Sequence, residues 1–282
     1  MKKLLLITTG GTIASENING EGLSPEKGGM DMLPELDGLR SDILDLYAID
    51  STDITAAHWR RLYKAVTDNL PLYDGIVILH GTDTIAYTGA VLAFTVKTDK
   101  PVILTGSMLP YGVPDSDAAD NINSACEAAV SGAARGVQLM FAGRMIGGAD
   151  IAKVSCTEKD AFRSYAGFVP RETFSFPAAD EGFPAVVKLT PFTRAENILR
   201  CAGYRCVVLE TYGAGGLPDG EITAAVAELA KKAEVLITTP CLGGTDPELY
   251  EVGMRALKAG AKSGGKMSSE CAAVYLWLKT NQ

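Results

Sequence analysis

The sequence predicts an α/β protein with two tandem open-sheet domains, a larger N-terminal one that is flavodoxin/Rossmann-like and a smaller C-terminal one. Short apolar runs recur along the 282 residues, and each is followed by a longer stretch with helical periodicity. This alternation is typical of βαβ units. The runs are continuously apolar rather than alternating, as parallel strands covered on both faces require. Four prolines spaced through residues 168–204 separate a first set of units from a second.

The first set is predicted to contain strands at residues 4–8, 76–79, 102–105 and 137–141, and helices at about 55–69, 85–96 and 118–134. Thr55 and Asp117 stand where they could cap the first and third of these helices. The second set is predicted to contain strands at 207–209 and 235–239, an edge strand near 186–189, and helices at 221–232, 247–259 and 268–280. The resulting domains are 1–177 and 205–282, joined by a linker over 178–204.

Composition excludes several classes of function. The chain has 26 Lys+Arg against 34 Asp+Glu, a net charge of −8, which disfavours a nucleic-acid partner. No stretch approaches the ~18 apolar residues of a membrane span, and the apolar run near the start is too short for a secretory leader. Six cysteines without a C-x-x-C pair and only two histidines make a metal site unexpected. A soluble cytoplasmic protein is expected.

Small polar clusters follow the predicted strands, where ligands bind in open α/β sheets. They occupy residues 9–12 (Thr-Gly-Gly-Thr), 50–53, 80–84 (His-Gly-Thr-Asp-Thr), 106–108 and 147–153. The first cluster lacks the spacing of a dinucleotide fingerprint or a phosphate-binding P-loop, so a nucleotide site is disfavoured. Thr12 and Thr82 would place two hydroxyls at the tips of two different strands.

A threonine hydroxyl is a weak nucleophile and needs a base beside it. His80 stands at a strand end and is one candidate, whereas His58 lies within a predicted helix and is better explained as a structural residue. Lys153 is a second candidate if its amine is neutral, but a neighbouring Asp83 would stabilise the ammonium. The residues leave this choice open, and a lysine such as Lys153, taken alone, more often reaches solvent.

Residues 8–14 and 80–84 resemble the two signatures of the bacterial-type L-asparaginase family. Further segments match in kind and order: 49–53, 101–108, 116–117 with Asn121, 149–153, 211–213 and 266–270. The short chain, the absent leader and the 266–270 segment look more like the cytoplasmic type I members than the periplasmic ones.

The resemblance implies an amidohydrolase that converts L-asparagine to L-aspartate and ammonia without a cofactor. Thr12 would be the nucleophile, and Thr82, Asp83 and Lys153 would form a second triad, with Lys153 and Asp83 in contact. The substrate-binding groups implied are Gly11, Ser51, Thr52, Gly81, Thr82, Asp83 and Ser107. A homo-oligomer, tetramer or dimer, is also implied, with Glu251 as the carboxylate that one protomer could add to its neighbour's site.

Two departures from the family pattern stand out. The usual lid tyrosine is absent between residues 13 and 46, so a lid over 16–29, with Leu23 near the pocket mouth, is expected to exclude water rather than move protons. Ala152 and Glu210 replace a Thr and an Arg that are typical of type I members with an effector site. Although Cys241 matches, asparagine-driven allostery is therefore not expected.

Three other functions compete with this interpretation. The first is hydrolysis of glutamine or of an amide in a larger substrate, as in a transamidation complex. The second is a non-catalytic amino-acid sensor, which the retention of Thr12, Thr82 and Lys153 argues against. The third, a nucleotide-binding dehydrogenase, lacks its fingerprint.

Overall fold

The computed structural model describes residues 2–17, 23–25 and 39–282. The chain divides into two compact units: the N-terminal unit is residues 1–163 with 170–173, and the C-terminal unit is residues 164–169 with 174–282. In the described residues, no helix combines the length and apolar character needed to cross a membrane.

The N-terminal unit contains, in chain order, β1 (Lys2–Gly10), β2 (Ser15–Asn17), β3 (Leu23–Pro25), β4 (Leu39–Ile49), α1 (Ala56–Asn69), β5 (Gly75–Leu79), α2 (Ile85–Thr95), β6 (Pro101–Thr105), α3 (Ala118–Ser131), β7 (Gly136–Phe141), β8 (Arg144–Gly147) and β9 (Ile151–Lys153). A further strand, β10 (Phe162–Ser164), pairs with β9. The four strands predicted for the first set are confirmed, each extended by one or two residues at one or both ends.

The main sheet has the strand order β4-β1-β5-β6-β7-β8. Every pair is parallel except β7 with β8. Numbering only the parallel strands along the chain gives 2-1-3-4-5, which is the flavodoxin order. The chain passes from β1 to β4 on one side and later reaches β5 on the other side. The strand order therefore reverses between β1 and β5, and ligands of such sheets bind at this point.

Alternate residues of the central strands enter two separate cores. Leu5 and Ile7 belong to a buried cluster that includes apolar residues of α1 and α2. Leu4 and Leu6 belong to a second cluster, which includes apolar residues of α3. Because both faces are covered, the strand needs an unbroken apolar sequence, and each buried aliphatic side chain contributes roughly 1.5–3 kcal/mol.

The C-terminal unit contains β11 (Ala185–Lys188), α4 (Ala195–Leu199), β12 (Cys206–Glu210), α5 (Glu221–Ala230), β13 (Glu234–Thr238), α6 (Glu251–Lys258), β14 (Lys262–Ser263) and α7 (Ser269–Thr280). Its sheet is parallel throughout, with the order β11-β12-β13-β14. The edge strand expected near 186–189 is present as β11, but the stretch 178–204, expected as a linker, also carries α4 and belongs to this unit. Leu189 and Ile198 explain the difference, because both are buried in the core of the unit. The expected boundary at residue 177 likewise falls inside the C-terminal unit.

Gly10 offers a test of how tightly β1 and β4 meet at their carboxyl ends. It has φ +91°, and a Cβ there would overlap the backbone nitrogen and oxygen of Ile49. Gly112 has a similar φ of +81° but nothing within 4 Å of its would-be Cβ. We expect Gly112→Ala to lower the free energy of unfolding by about 1–2 kcal/mol through left-handed strain alone.

Gly10→Ala should lower the free energy of unfolding by roughly a further 1–3 kcal/mol, because the overlap forces the backbone to shift. Urea unfolding of both variants measures the difference. Equal losses in the two variants would show that the strand ends are not in tight contact.

Candidate active site

Three chain segments meet backbone to backbone where the strand order reverses. Gly11 has φ +80°, and a Cβ on it would overlap the Cα of Gly81. A Cβ on Gly81 would in turn lie 2.6 Å from both Cβ and Oγ of Ser51. The Gly11 N–H donates to the Ile49 carbonyl at 2.9 Å. The tips of β1 and β5 and the turn after β4 therefore form one compact site, as expected from the order of the strands.

Thr82, Asp83 and Lys153 form a contiguous polar group beside this junction. Lys153 Nζ donates to Thr82 Oγ1 at 2.8 Å and lies 2.5 Å from Asp83 Oδ1. The Lys153 side chain is 21% exposed and that of Asp83 57% exposed, so water screens the carboxylate more than the ammonium. Lys153 is thus not a solvent-reaching surface lysine. It joins Asp83 and a buried hydroxyl, and an amine at this distance can exchange a proton with that hydroxyl.

Thr12 directly follows Gly11 and begins a short 3-10 turn, where it is half-buried. The expected lid begins just beyond it. β2 and β3 pair antiparallel, with Asn17 opposite Leu23. Residues 18–22 and 26–38 lie outside the described residues, so most of the lid prediction is not addressed by the structure.

His80 is not placed to act as the base. It is 1% exposed, and both ring nitrogens are engaged: Nδ1 lies 2.7 Å from the Gly81 carbonyl and Nε2 lies 2.9 Å from Thr88 Oγ1. Burial is the main cause that lowers its pKa from 6.5 to about 4, so the ring is neutral at pH 7. His58 is structural, as expected, because its Nδ1 accepts from the Thr55 N–H at 3.2 Å at the start of α1.

The expected substrate-binding hydroxyls differ in their surroundings. Ser51 is buried, and its backbone carbonyl accepts from the Thr84 hydroxyl at 2.8 Å, a tie that the sequence did not reveal. Thr52 is exposed, and its hydroxyl donates to Asp50 Oδ1 at 2.7 Å. Hydrogen bonds from the Thr52 N–H and hydroxyl lower the pKa of the Asp50 carboxyl. The Ser107 residue is buried, and its hydroxyl donates to the Leu109 carbonyl.

Asp117 does not cap α3 with its side chain, contrary to the prediction. Its carboxylate accepts instead from the N–H groups of Met108 and Leu109, at 3.0 and 3.1 Å. Asn121 adds a second brace by donating to the Gly106 carbonyl at 3.0 Å. Side chains at the start of α3 therefore hold the loop after β6. The Asp117 carboxylate bonds to the N–H groups of this loop rather than to the free N–H groups at the start of the helix.

Several residues singled out from the sequence lie outside this cluster. Ala152 precedes Lys153 in β9. Glu210 ends β12, where Lys188 Nζ lies 2.9 Å from one of its oxygens and Ser269 donates to the other at 2.8 Å. Cys241 is an exposed free thiol in the C-terminal unit. Glu251 opens α6 with an 84% exposed side chain that lies 3.3 Å from Arg255.

The pKa of His80 predicts a specific pH dependence of stability. An unfolded histidine titrates near 6.5, whereas folded His80 titrates at about 4. Between these values the unfolded chain binds a proton that the folded chain does not. Stability should therefore fall as the pH drops from about 6.5 to about 4, by up to ~3 kcal/mol from this residue.

Urea unfolding of the native protein and of His80→Asn at half-unit pH steps checks this prediction. The native curve should fall more steeply between pH 6.5 and 4.5. Carboxyls with lowered pKa, such as Asp42 and Asp160, lose their contribution at lower pH and do so in both proteins. Parallel curves for the two proteins would rule out a neutral, buried His80.

Comparison with known families covers nearly the whole sequence. Residues 3–171 match the family described as "Asparaginase, N-terminal", and residues 185–282 match "Glutaminase/Asparaginase C-terminal domain". The L-asparaginase of Thermococcus kodakarensis is 37% identical, over 95% of this chain and 89% of its own length. A component of the glutamyl-tRNA(Gln) amidotransferase of Methanosarcina barkeri is 29% identical, over 99% of this chain and 74% of its own length.

Solved structures show the same fold over both units. The thermostable L-asparaginase from Thermococcus kodakarensis matches with a TM-score of 0.90 at 33% identity, covering 99% of this chain and 93% of that chain. L-asparaginase I from Vibrio cholerae O1 biovar eltor matches with a TM-score of 0.81 at 28% identity, covering 100% of this chain and 93% of that chain. The likeness to type I members is thus confirmed. Since the family matches span most of the sequence, the chain belongs to the L-asparaginase family.

Proposed function

We propose that this protein hydrolyses the side-chain amide of L-asparagine to L-aspartate and ammonia through a threonine nucleophile. The observation that carries the proposal is the contact of Lys153 Nζ with Thr82 Oγ1, 2.8 Å long, with Asp83 on the same ammonium. This group lies where the strand order reverses, one strand away from Thr12. The 37% identity to an L-asparaginase supports asparagine as the substrate.

The reaction proceeds in two halves. In the first, the Thr12 hydroxyl oxygen attacks the amide carbon, the C–N bond breaks, and the nitrogen leaves as ammonia with the hydroxyl proton. This step leaves an aspartyl ester on Thr12. In the second, water attacks the ester and regenerates the hydroxyl. In this second half, the amine form of Lys153 takes a proton from the attacking water through the Thr82 hydroxyl. Asp83 stabilises the ammonium that forms.

The pocket is completed by groups that hold the charged end of the amino acid. Ser51 and Thr52, with Asp83, would bind the α-carboxylate and α-amino groups. Backbone N–H groups around Gly11 and Gly81 would stabilise the oxyanion, and Ser107 would shape the wall from the loop that Asp117 braces. None of these roles calls for a cofactor.

Ammonia release by the purified chain tests the proposal against its nearest rival. The likeness to an amidotransferase component suggests an alternative function. In that case the chain would hydrolyse an amide only as part of a larger complex that transfers the released ammonia to an acceptor. The proposal expects turnover of free L-asparagine by this chain alone, with L-glutamine and D-asparagine slower. Ammonia release only when tRNA and a partner protein are added would favour the alternative.

The family likeness also supports a cytoplasmic homo-oligomer, tetramer or dimer. Glu251 is exposed in a single chain, which leaves its carboxylate available to a neighbouring protomer's site. Sedimentation of the purified protein gives the oligomeric state, and Glu251→Gln should raise KM only if the carboxylate reaches substrate.

Substitution of the two threonines should separate the two halves of the reaction. Thr12→Val should release no ammonia, because the nucleophile is gone. Thr82→Val should release at most one ammonia per site and then stop as an aspartyl ester, because the second half lacks its proton path. Each loss in kcat should be at least about 10³-fold. Rapid-quench ammonia assays and intact mass measure both, with Thr12→Ser and Thr82→Ser as controls that keep the hydroxyl. Near-native turnover by both Val variants would remove the assignment.

Lys153 and Asp83 should behave as one unit. Lys153→Met alone and Lys153→Met with Asp83→Asn should lose similar activity, because a carboxylate that acts through the lysine has no further effect once the lysine is gone. The kcat/KM values of the two single variants and the double variant form the cycle. If the loss in kcat/KM of the double variant equals the product of the two single losses, Lys153 and Asp83 act independently.

A further inference from the structure

His80 is a buried polar residue, and the proposed reaction does not use it for proton transfer. It stands at the end of β5, immediately before Gly81, Thr82 and Asp83, and is only 1% exposed. Burying an imidazole without hydrogen bonds would be costly, and here both nitrogens are bonded. The partners determine what the ring does.

A chain of hydrogen bonds fixes the tautomer of His80. Trp59 Nε1, which can only donate, lies 2.9 Å from Thr88 Oγ1. Thr88 is therefore the acceptor in that bond and keeps its own proton to donate to His80 Nε2 at 2.9 Å. The Gly81 carbonyl, 2.7 Å from His80 Nδ1, can only accept. The Gly81 carbonyl therefore assigns the ring proton to Nδ1, and the Thr88 hydroxyl can donate to the unprotonated Nε2.

The bond to Gly81 controls the peptide that carries Thr82. In a trans peptide the C=O and the following N–H point in opposite directions, and no cis peptide bonds are present in the described chain. Holding the Gly81 oxygen towards the ring therefore directs the Thr82 N–H away from it. Among residues 2–17, 23–25 and 39–282 no backbone carbonyl accepts from this N–H. Gly81 has no side chain to restrict its own rotation, so the bond to His80 adds to the packing against Gly11 and Ser51 in fixing this plane.

We propose that His80 is a positioning residue that orients the Gly81–Thr82 peptide for amide hydrolysis, with Trp59 and Thr88 holding its proton on Nδ1. The inference rests on the proposed function and concerns one of its backbone donors beside Gly81, the Thr82 N–H, which would face the oxyanion of the tetrahedral intermediate. Removing one such aligned donor typically lowers kcat by roughly 10²–10³-fold.

Two substitutions of His80 by amide side chains distinguish a role in orienting the Gly81–Thr82 peptide from a role in packing alone. His80→Asn places an amide N–H close to the Nδ1 position and keeps the donor to Gly81. His80→Gln is closer in volume to histidine but places its amide near the Nε2 position and loses that donor. Positioning predicts that His80→Asn keeps kcat within about tenfold of native while His80→Gln loses about 10²-fold. A packing role predicts the opposite order, and a kcat for His80→Gln equal to or above that of His80→Asn would overturn the inference.

Thr88 gives an independent test outside the reacting groups. Thr88→Val is nearly isosteric but removes the hydroxyl that orients the ring, whereas Thr88→Ser keeps it. Positioning predicts a lower kcat with little change in KM for Thr88→Val, and recovery in Thr88→Ser. Equal kinetics for the two variants would overturn it.

The tautomer can be read without any activity. Nitrogen-15 NMR of the imidazole in the native protein should show a protonated Nδ1 and an unprotonated Nε2 at pH 7. The opposite tautomer would overturn the inference even in an active enzyme. The expected tautomer in a protein that releases no ammonia from L-asparagine would locate the failure in the proposed function instead.

Discussion

The close approach of Gly11 and Gly81 is the constraint on which the site depends. Adjacent parallel strands end here, and either residue would overlap the other's backbone or Ser51 if it carried a side chain. Ordering a glycine costs roughly 0.5–1 kcal/mol more than ordering an alanine, because glycine loses more conformational entropy. The two-sided burial of the sheet offsets that cost and holds the tips together. This contact brings together the residues that precede Thr12 and Thr82, and Ser51 lies against Gly81 on the same side of the junction.

A second contact between small residues brings in the lysine. A Cβ on Gly89 in α2 would lie 2.5 Å from the Gly148 carbonyl oxygen, so the chain entering β9 passes directly against this helix. Lys153 ends β9, and Thr82 lies just before α2. The length of the lysine side chain then spans the remaining gap, and its apolar stem is largely covered. The two glycine contacts together determine how the hydroxyl and the amine meet.

The features predicted correctly from the sequence are those that depend on a local pattern of residues. Strands such as β5 and β6 are unbroken apolar runs, and their neighbours in the sheet follow from the βαβ order. The sequence did not predict the partners of Asp117, because a carboxylate near a helix start satisfies either the helix or the loop, and only the fold brings Met108 within reach. The segment that forms α4 was predicted as a linker, because the prolines around it disfavour helices and strands and no local pattern shows that Ile198 is buried. The meeting of Lys153 with Thr82, 71 residues apart, was suggested only by family resemblance. Thr88 and Trp59 carry no sequence signal of their link to His80.

Burial divides the polar groups around Thr82 into two kinds. His80 is enclosed, and the loss of hydration suppresses its charge, so it keeps one tautomer and one set of partners over the physiological pH range. Lys153 and Asp83 stay partly exposed, so water molecules can reach both side chains. A group that must hold a peptide plane benefits from being unable to change charge, whereas a group that must exchange a proton requires that ability. The chain has only two histidines, and with His80 enclosed and His58 bonded at the start of α1, the proton transfer that we propose uses the amine of Lys153 and the carboxylate of Asp83 instead.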